Sequence, residues 1–232
     1  GLEAVAHVDE VTLLVCPDAA ATHPTTTSGG TNNAYYNICK AALAQCADLA
    51  DRFAIMDVVD TDLDAAEFRY GIGNENLKQG AAYLPYLKTS IPYEYDEALV
   101  EVTIDKAKPQ RLSKLNKDQP KIYNFVKRAL QNAPKVVLPP SAAIAGIYAR
   151  VDQNRGVWKA PANVSVFSIE GPTRELTDVE QAGLNVDATS GKSINALRTF
   201  AGIGHLLWAA RTLHGNDHDW LYIPVTRLGT MP

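Results

Sequence analysis

The sequence predicts an α/β fold: a mixed, mainly parallel sheet with helices on both faces, followed by a smaller strand-rich α+β portion. Three observations carry this. Short apolar runs of strand length recur between residues 11 and 155. Stretches with apolar residues every three or four positions separate them, and that alternation of strand and helix patterns is the mark of a parallel or mixed sheet. After residue 160 the pattern changes to short alternating runs.

Val11–Cys16 (VTLLVC) is an apolar run stopped by Pro17-Asp18, and reads as a buried strand. Residues 23–33 are rich in Thr, Ser, Gly and Asn, a loop composition. Tyr35, Ile38, Cys39, Ala42, Cys46, Leu49 and Ala50 then trace one helical face. Phe53–Val59 is a second strand, and Asp60–Glu67 an acidic loop or short helical turn. Ala81–Leu87 contains Pro85, which points to an edge or irregular strand. Leu99–Ile104 alternates as a half-buried strand does.

Ile122, Phe125, Val126, Ala129 and Leu130 form another helical stripe, ended by Pro134. Lys135–Leu138 reads as a third buried strand before Pro139-Pro140. Ser141 is placed to N-cap a helix whose inner face is Ile144, Ile147, Tyr148 and Val151, and Gly156 to end it. Val164–Ile169 alternates as a strand, and Thr177 with Glu180 forms a capping-box signature. Ile203, Leu206, Leu207 and Trp208 look strand-like, and Trp220–Val225 is the last expected strand.

Composition excludes several classes. The 232 residues carry 22 Lys+Arg against 26 Asp+Glu, a net charge of -4, so nothing draws the chain generally to nucleic acid phosphates. There is no apolar run of about 18 residues to insert in a membrane, and the first residues lack a secretory signal pattern. Cys16, Cys39 and Cys46 have no framework spacing, which implies reduced thiols and synthesis inside the cell. Cys39 and Cys46 fall on one helical face as small apolar side chains.

The chemical motifs are incomplete. Gly191-Lys192-Ser193 has Val186 where a phosphate loop needs its first glycine. Gly202-Ile203-Gly204 and Gly71-Ile72-Gly73 each lack the third glycine of a dinucleotide fingerprint, at Leu207 and Asn76. His214–Asp219 is dense in metal-type ligands, but Gly215 and Asn216 favour a solvated turn over a helical imidazole pair. No serine follows Ser193, so a hydrolase triad is reduced to Asp9 or Asp18 with His23. Ser141 stands between a strand and a helix, yet Pro140 and Ala142 replace the glycines of a nucleophile elbow. No catalytic, cofactor or metal residue is expected, and no cofactor.

Residues 138–163, LPPSAAIAGIYARVDQNRGVWKAPAN, closely resemble the tail sheath proteins of contractile bacteriophages. The matching features are the proline pair, the A-G-x-Y-A-R helix pattern and the R-G-V-W-K-A-P-A-N loop. Leu176, Glu180, Gln181, Leu184 and Asn185 fit a second block of that family, and Ile194-Asn195, Arg198 and Phe200 a third. Trp208, Ala210–Leu213 and Trp220–Tyr222 fit a fourth. The family also includes sheaths of R-type tailocins and contractile injection systems, and its core domain is named for a likeness to subtilisin.

The resemblance implies a structural subunit of a contractile sheath, assembling helically around a tail tube and driving it through a host envelope. The implied partners are further copies of itself, the tube protein, and baseplate and tail terminator proteins, with no nucleic acid and no membrane insertion. The implied location is the virion, after synthesis in the bacterial host cytoplasm. The family's signature residues supply the structural or interface candidates: Arg150, Arg155, Trp158, Pro161, Arg198, Trp208, Arg211 and Trp220. Residues 1–232 are expected to form one sheath core domain, with 11–160 as the α/β layer and 161–228 as its strand-rich continuation. The family's N-terminal arm and C-terminal domain are expected to lie outside it. The alternative function is a hydrolytic enzyme on a subtilisin-like α/β scaffold.

Overall fold

A computed structural model describes residues 1–23, 33–60, 64–104, 108–133 and 135–229. Most of the expected loop at 23–33, the helix stop at Pro134 and part of the acidic stretch after Asp60 lie outside them. The described chain forms two units: residues 1–87 with 137–232, and residues 88–136.

The chain opens with a short helix, Leu2–Ala6 (α1), and enters strand Leu13–Val15 (β1). Helix Ala34–Leu49 (α2) follows, capped by Asn33, whose side chain accepts from the Tyr35 N–H. Strand Phe53–Asp57 (β2), helix Asp64–Gly71 (α3) and strand Gly80–Leu84 (β3) complete the first half, and Leu87–Thr89 (β4) leads out of the unit. The inserted unit contains Glu101–Val102 (β5), Gln110–Arg111 (β6), Leu112–Asp118 (α4) and Pro120–Gln131 (α5). After Val137–Leu138 (β7) come helix Ser141–Arg155 (α6), strands Val164–Ser165 (β8) and Ile169–Pro172 (β9), and helix Asp178–Asn185 (α7). Strands Asn195–Phe200 (β10) and Gly204–Leu207 (β11) precede the last helix, Ile223–Gly229 (α8).

Six strands of the larger unit make one sheet in the order β1-β2-β3-β10-β11-β8. The pairs β1–β2, β2–β3 and β3–β10 are parallel, and β10–β11 and β11–β8 antiparallel. The sheet is therefore mixed and mainly parallel, as the sequence implies. Its two faces hold two separate cores, because side chains alternate along each strand. Ala54 and Met56 of β2, with Ala82 and Leu84 of β3, meet Tyr35, Cys39, Leu43 and Cys46 of α2. Phe53 and Ile55, with Ala81 and Tyr83, meet Ile144, Ile147, Tyr148 and Val151 of α6. A strand buried on both faces reads as an unbroken apolar run, which is why β2 is legible in the sequence.

Several expectations need correction. The run at Ala81–Leu87 is no edge: β3 is fully buried between β2 and β10, and Pro85 lies just beyond its last residue. Lys135–Leu138 contributes only the two-residue β7, whose Val137 and Leu138 are 41% and 40% exposed, so it is not a buried strand. Trp220–Val225 is not a strand. Tyr222 makes a single bridge to Arg211, and Pro224 sits in the first turn of α8, where its missing N–H costs nothing. Strand β10 was not read from periodicity, since polar Asn195, Arg198 and Thr199 interrupt its apolar residues.

In the inserted unit, β5 and β6 pair antiparallel and Leu112 and Leu115 are fully buried. Glu97 accepts from the Tyr123 hydroxyl and, at 2.7 Å, from the Lys127 ammonium. The stripe on α5 is real but only partly covered: no residue of that helix is fully buried, and Phe125 is 73% exposed.

These placements predict a contrast. Leu43→Ala, at a site 1% exposed, lowers stability by about 2–5 kcal/mol. Phe125→Ala stays within about 0.5 kcal/mol of the native chain. Urea unfolding of the two variants measures both.

Candidate functional site

A hydrolase site is tested first by its serine. Asp57 ends β2 and Ser141 begins α6, and the two are in direct contact. Asp57 Oδ1 accepts from the Ser141 N–H at 2.6 Å, and Oδ2 from the Ser141 hydroxyl at 2.7 Å. The Tyr35 hydroxyl donates to the Asp57 carbonyl. Asp57 is 2% exposed and Ser141 is wholly buried. Burial pushes the Asp57 carboxyl up to about 6, against the two hydrogen bonds from Ser141, which favour its charged form.

This is the geometry of a helix cap supplied from another element. Pro140 occupies the cap position and has no polar side chain to offer, so the Asp57 carboxylate accepts from the first helical N–H, that of Ser141. Ser141 is thus the first helical residue rather than the cap expected from sequence. Its hydroxyl points at a carboxylate rather than an imidazole. His23 Nε2 lies 3.2 Å from Glu67, and His205 Nδ1 lies 3.0 Å from the Thr199 hydroxyl.

The other motifs also resolve into structure. Lys192 Nζ donates to the Arg69 carbonyl, and the Ser193 hydroxyl to the Asn185 carbonyl. Gly215 is required there, because a Cβ would stand 1.9 Å from Ser193 Oγ. Residues 214–219 form turns, with His214 Nε2 3.5 Å from Asp217.

The eight candidate residues fall into three places. Arg198 spans Gln181 and Asp178, at 3.0 and 2.8 Å, and lies over the Phe200 ring. Phe200 in turn packs at a tilt against Trp208, ring centres 4.6 Å apart, and Trp208 is 36% exposed. The Arg211 N–H donates to Asn195 Oδ1 at 2.8 Å, and its guanidinium lies over Tyr222. Trp220 is half-buried under the Lys78 ammonium, 4.0 Å from its ring centre. These four candidates are engaged in contacts within the chain.

Arg150, Arg155, Trp158 and Pro161 gather at the third place, the C-terminal end of α6 and the loop after it. Pro161 is buried. Trp158 is 69% exposed and lies flat on Gly156, where a Cβ would come within 2.3 Å of the indole. Gly156 has φ 87°, so glycine is needed for both backbone and space. Arg150 donates to the Ser165 carbonyl at 2.6 Å and stacks 4.8 Å over Phe167, which is 68% exposed. Arg150, Arg155 and Lys159 line a groove of about 420 Å3 beside β8, and no acidic residue lines it.

The candidate list left out Asp57 and Phe167, and Lys159 although it lies in the matched loop. Asp57 was detectable as a carboxylate inside an apolar run. Phe167 was hidden in a strand pattern that ends at Ser165. Among the described residues, no helix is long and apolar enough to cross a membrane.

No family model matches the sequence. Over 95 residues the chain is 33% identical to a putative prophage major tail sheath protein of Pseudomonas aeruginosa (strain UCBPP-PA14), covering 40% of this chain and 23% of that protein. It is similar in structure to a chain of the sheath complex of an extracellular contractile injection system, PVC, in its contracted state. The TM-score is 0.62 at 28% identity, covering 97% of this chain and 46% of that one. The helical sheath of the anti-feeding prophage (AFP), also contracted, gives a TM-score of 0.55 at 27% identity, covering 99% and 46%. The chain thus spans less than half the length of each of these relatives.

The cap makes stability pH-dependent. The folded pKa of Asp57 lies above the ordinary carboxylate value, so the folded state binds the proton more tightly. That contribution is full below about pH 4 and lost as pH rises through about 6. Asp57→Asn removes this titration, so the variant gains on the native chain by on the order of 3 kcal/mol between pH 4 and 7. Denaturant unfolding at both pH values measures it. A constant difference rejects the raised pKa.

Proposed function

We propose that this chain is the core of a structural subunit of a contractile sheath, which packs helically with copies of itself around a tube. The observation that carries the reading is the likeness to two sheath chains at 27–28% identity over 97–99% of this chain. A local likeness would cover one motif; this one covers both units.

On this reading the work resides in packing rather than bond chemistry. A sheath that shortens exchanges one set of contacts between identical subunits for another of lower free energy. Such an open helical array uses heterologous contacts, in which different patches meet. The larger unit suits this use: two buried cores keep it rigid, while Trp158, Phe167 and Ile203 stand 68–69% exposed. The expected partners are further copies, the tube protein, the baseplate and the tail terminator, within a virion or injection particle assembled in the bacterial host cytoplasm.

The hydrolase alternative has less support. Ser141 is buried against Asp57, so a substrate carbonyl has no approach to its hydroxyl.

Two outcomes are expected. Electron microscopy of the protein, together with any flanking sequence its gene encodes, shows striated tubes; isolated particles at every concentration overturn the reading. A fluorophosphonate probe leaves Ser141 unlabelled in the native chain; labelling lost in Ser141→Ala revives the hydrolase.

A further inference from the structure

We infer that the basic groove between α6 and β8 is a socket for residues 91–96 of a second copy of this chain. The inference rests on the self-assembly reading and names the contact. Strand β8 is the edge of the six-stranded sheet, so its outer side meets no further strand of that sheet. The strand is two residues long and its Ser165 carbonyl already accepts from Arg150, so the groove is filled by side-chain contacts rather than by strand addition. Arg150, Arg155 and Lys159 line the groove without an acidic neighbour among the lining residues, and exposed Phe167 lies within it. Cations flanked by aromatic surface call for an occupant that is acidic and aromatic together.

Among the described residues, one fully exposed segment outside helices and strands alternates aromatic and acidic residues. Residues 91–96, Ile-Pro-Tyr-Glu-Tyr-Asp, belong to no helix or strand and every one is exposed. In an extended chain successive side chains point to opposite sides. Tyr93 and Tyr95 then share one side, and Glu94 and Asp96 the other. Six residues reach about 20 Å. Asp96 uses one carboxylate oxygen on the Ala98 N–H, 2.8 Å away, and keeps the other for a cation. The carboxylates are matched to Arg155 and Lys159, and the tyrosines to Phe167 and Trp158.

The contact is heterologous: each copy offers one socket and one segment, so the joint propagates instead of closing on itself. Exposed ion pairs are individually weak and screened by salt. A joint of this kind releases and re-forms readily.

The test uses a fluorescent synthetic peptide of residues 91–97 and anisotropy at low salt. The native chain binds it saturably. Arg155→Glu with Lys159→Glu weakens binding at least tenfold, and so does a peptide carrying Glu94→Lys and Asp96→Lys. The reversed peptide binds the reversed protein, which also shows that the variant is folded. Absence of binding to the native chain, or equal binding by native and reversed proteins, overturns the socket. Electron microscopy separates this from the assembly reading. Tubes formed equally by native and reversed proteins, without peptide binding, leave assembly standing and remove the socket. Peptide binding with charge-swap rescue but no tubes keeps the socket and removes the sheath assembly.

Discussion

The structure is organised around one buried carboxylate. Asp57 closes the second strand and holds the first turn of α6, 84 residues further along the chain. The helix has a proline where its cap should be, so without Asp57 the buried Ser141 N–H would be unmet. The same side chain fixes the hydroxyl of Ser141, and the Asp57 carbonyl receives Tyr35 from the opposite face of the sheet. One residue therefore ties the helices of both layers to the end of a central strand.

The rest of α6 is held by two further fixings. The Tyr83 and Tyr148 hydroxyls meet at 2.5 Å inside the core, joining the middle of the helix to β3. Near its far end Asp152 receives both arms of Arg227, which also lies over the Tyr148 ring. A bidentate pair with a buried guanidinium is the strong form of such a contact. Held at start, middle and end, α6 presents Arg150 and Arg155 beside β8 in a fixed position. The groove joins that end of the helix to Lys159 and Asn163 of the following loop and to β8.

Legibility in the sequence follows the same physics. Helices with one buried stripe were readable: Tyr35, Cys39, Ala42 and Cys46 on α2, and Ile144, Ile147, Tyr148 and Val151 on α6, are all buried. The Thr177–Glu180 capping box forms as its spacing implies. What failed was context. Periodicity marks an amphipathic helix but does not say what covers its apolar face, and the stripe on α5 stays partly exposed. A strand whose polar residues find partners has no apolar pattern: Asn195 in β10 donates to the Ala82 and Arg211 carbonyls and accepts from the Arg211 N–H. Pro85 looked disruptive inside a run that had already ended. At the candidate surface, the family-like blocks pointed to Arg150, Arg155 and Trp158, but the groove depends also on β8 and Phe167, which lie just beyond the matched block.

The Asp57 cap is costly at neutral pH, since burial raises its pKa to about 6 and the charged form is held against that preference. An asparagine would avoid the charge while keeping one acceptor. A carboxylate differs in offering two acceptors at once, to the N–H and the hydroxyl of one residue, and that fixes the direction of the helix as well as its start. For the sheath subunit proposed above, the direction of this helix sets where its charged end is presented to a neighbour. A helix free to pivot at its first turn would move Arg155, at its other end, furthest of all. A charge held at a cost inside the sheet thereby sets the position of charges on the surface, where contacts between copies are proposed to form.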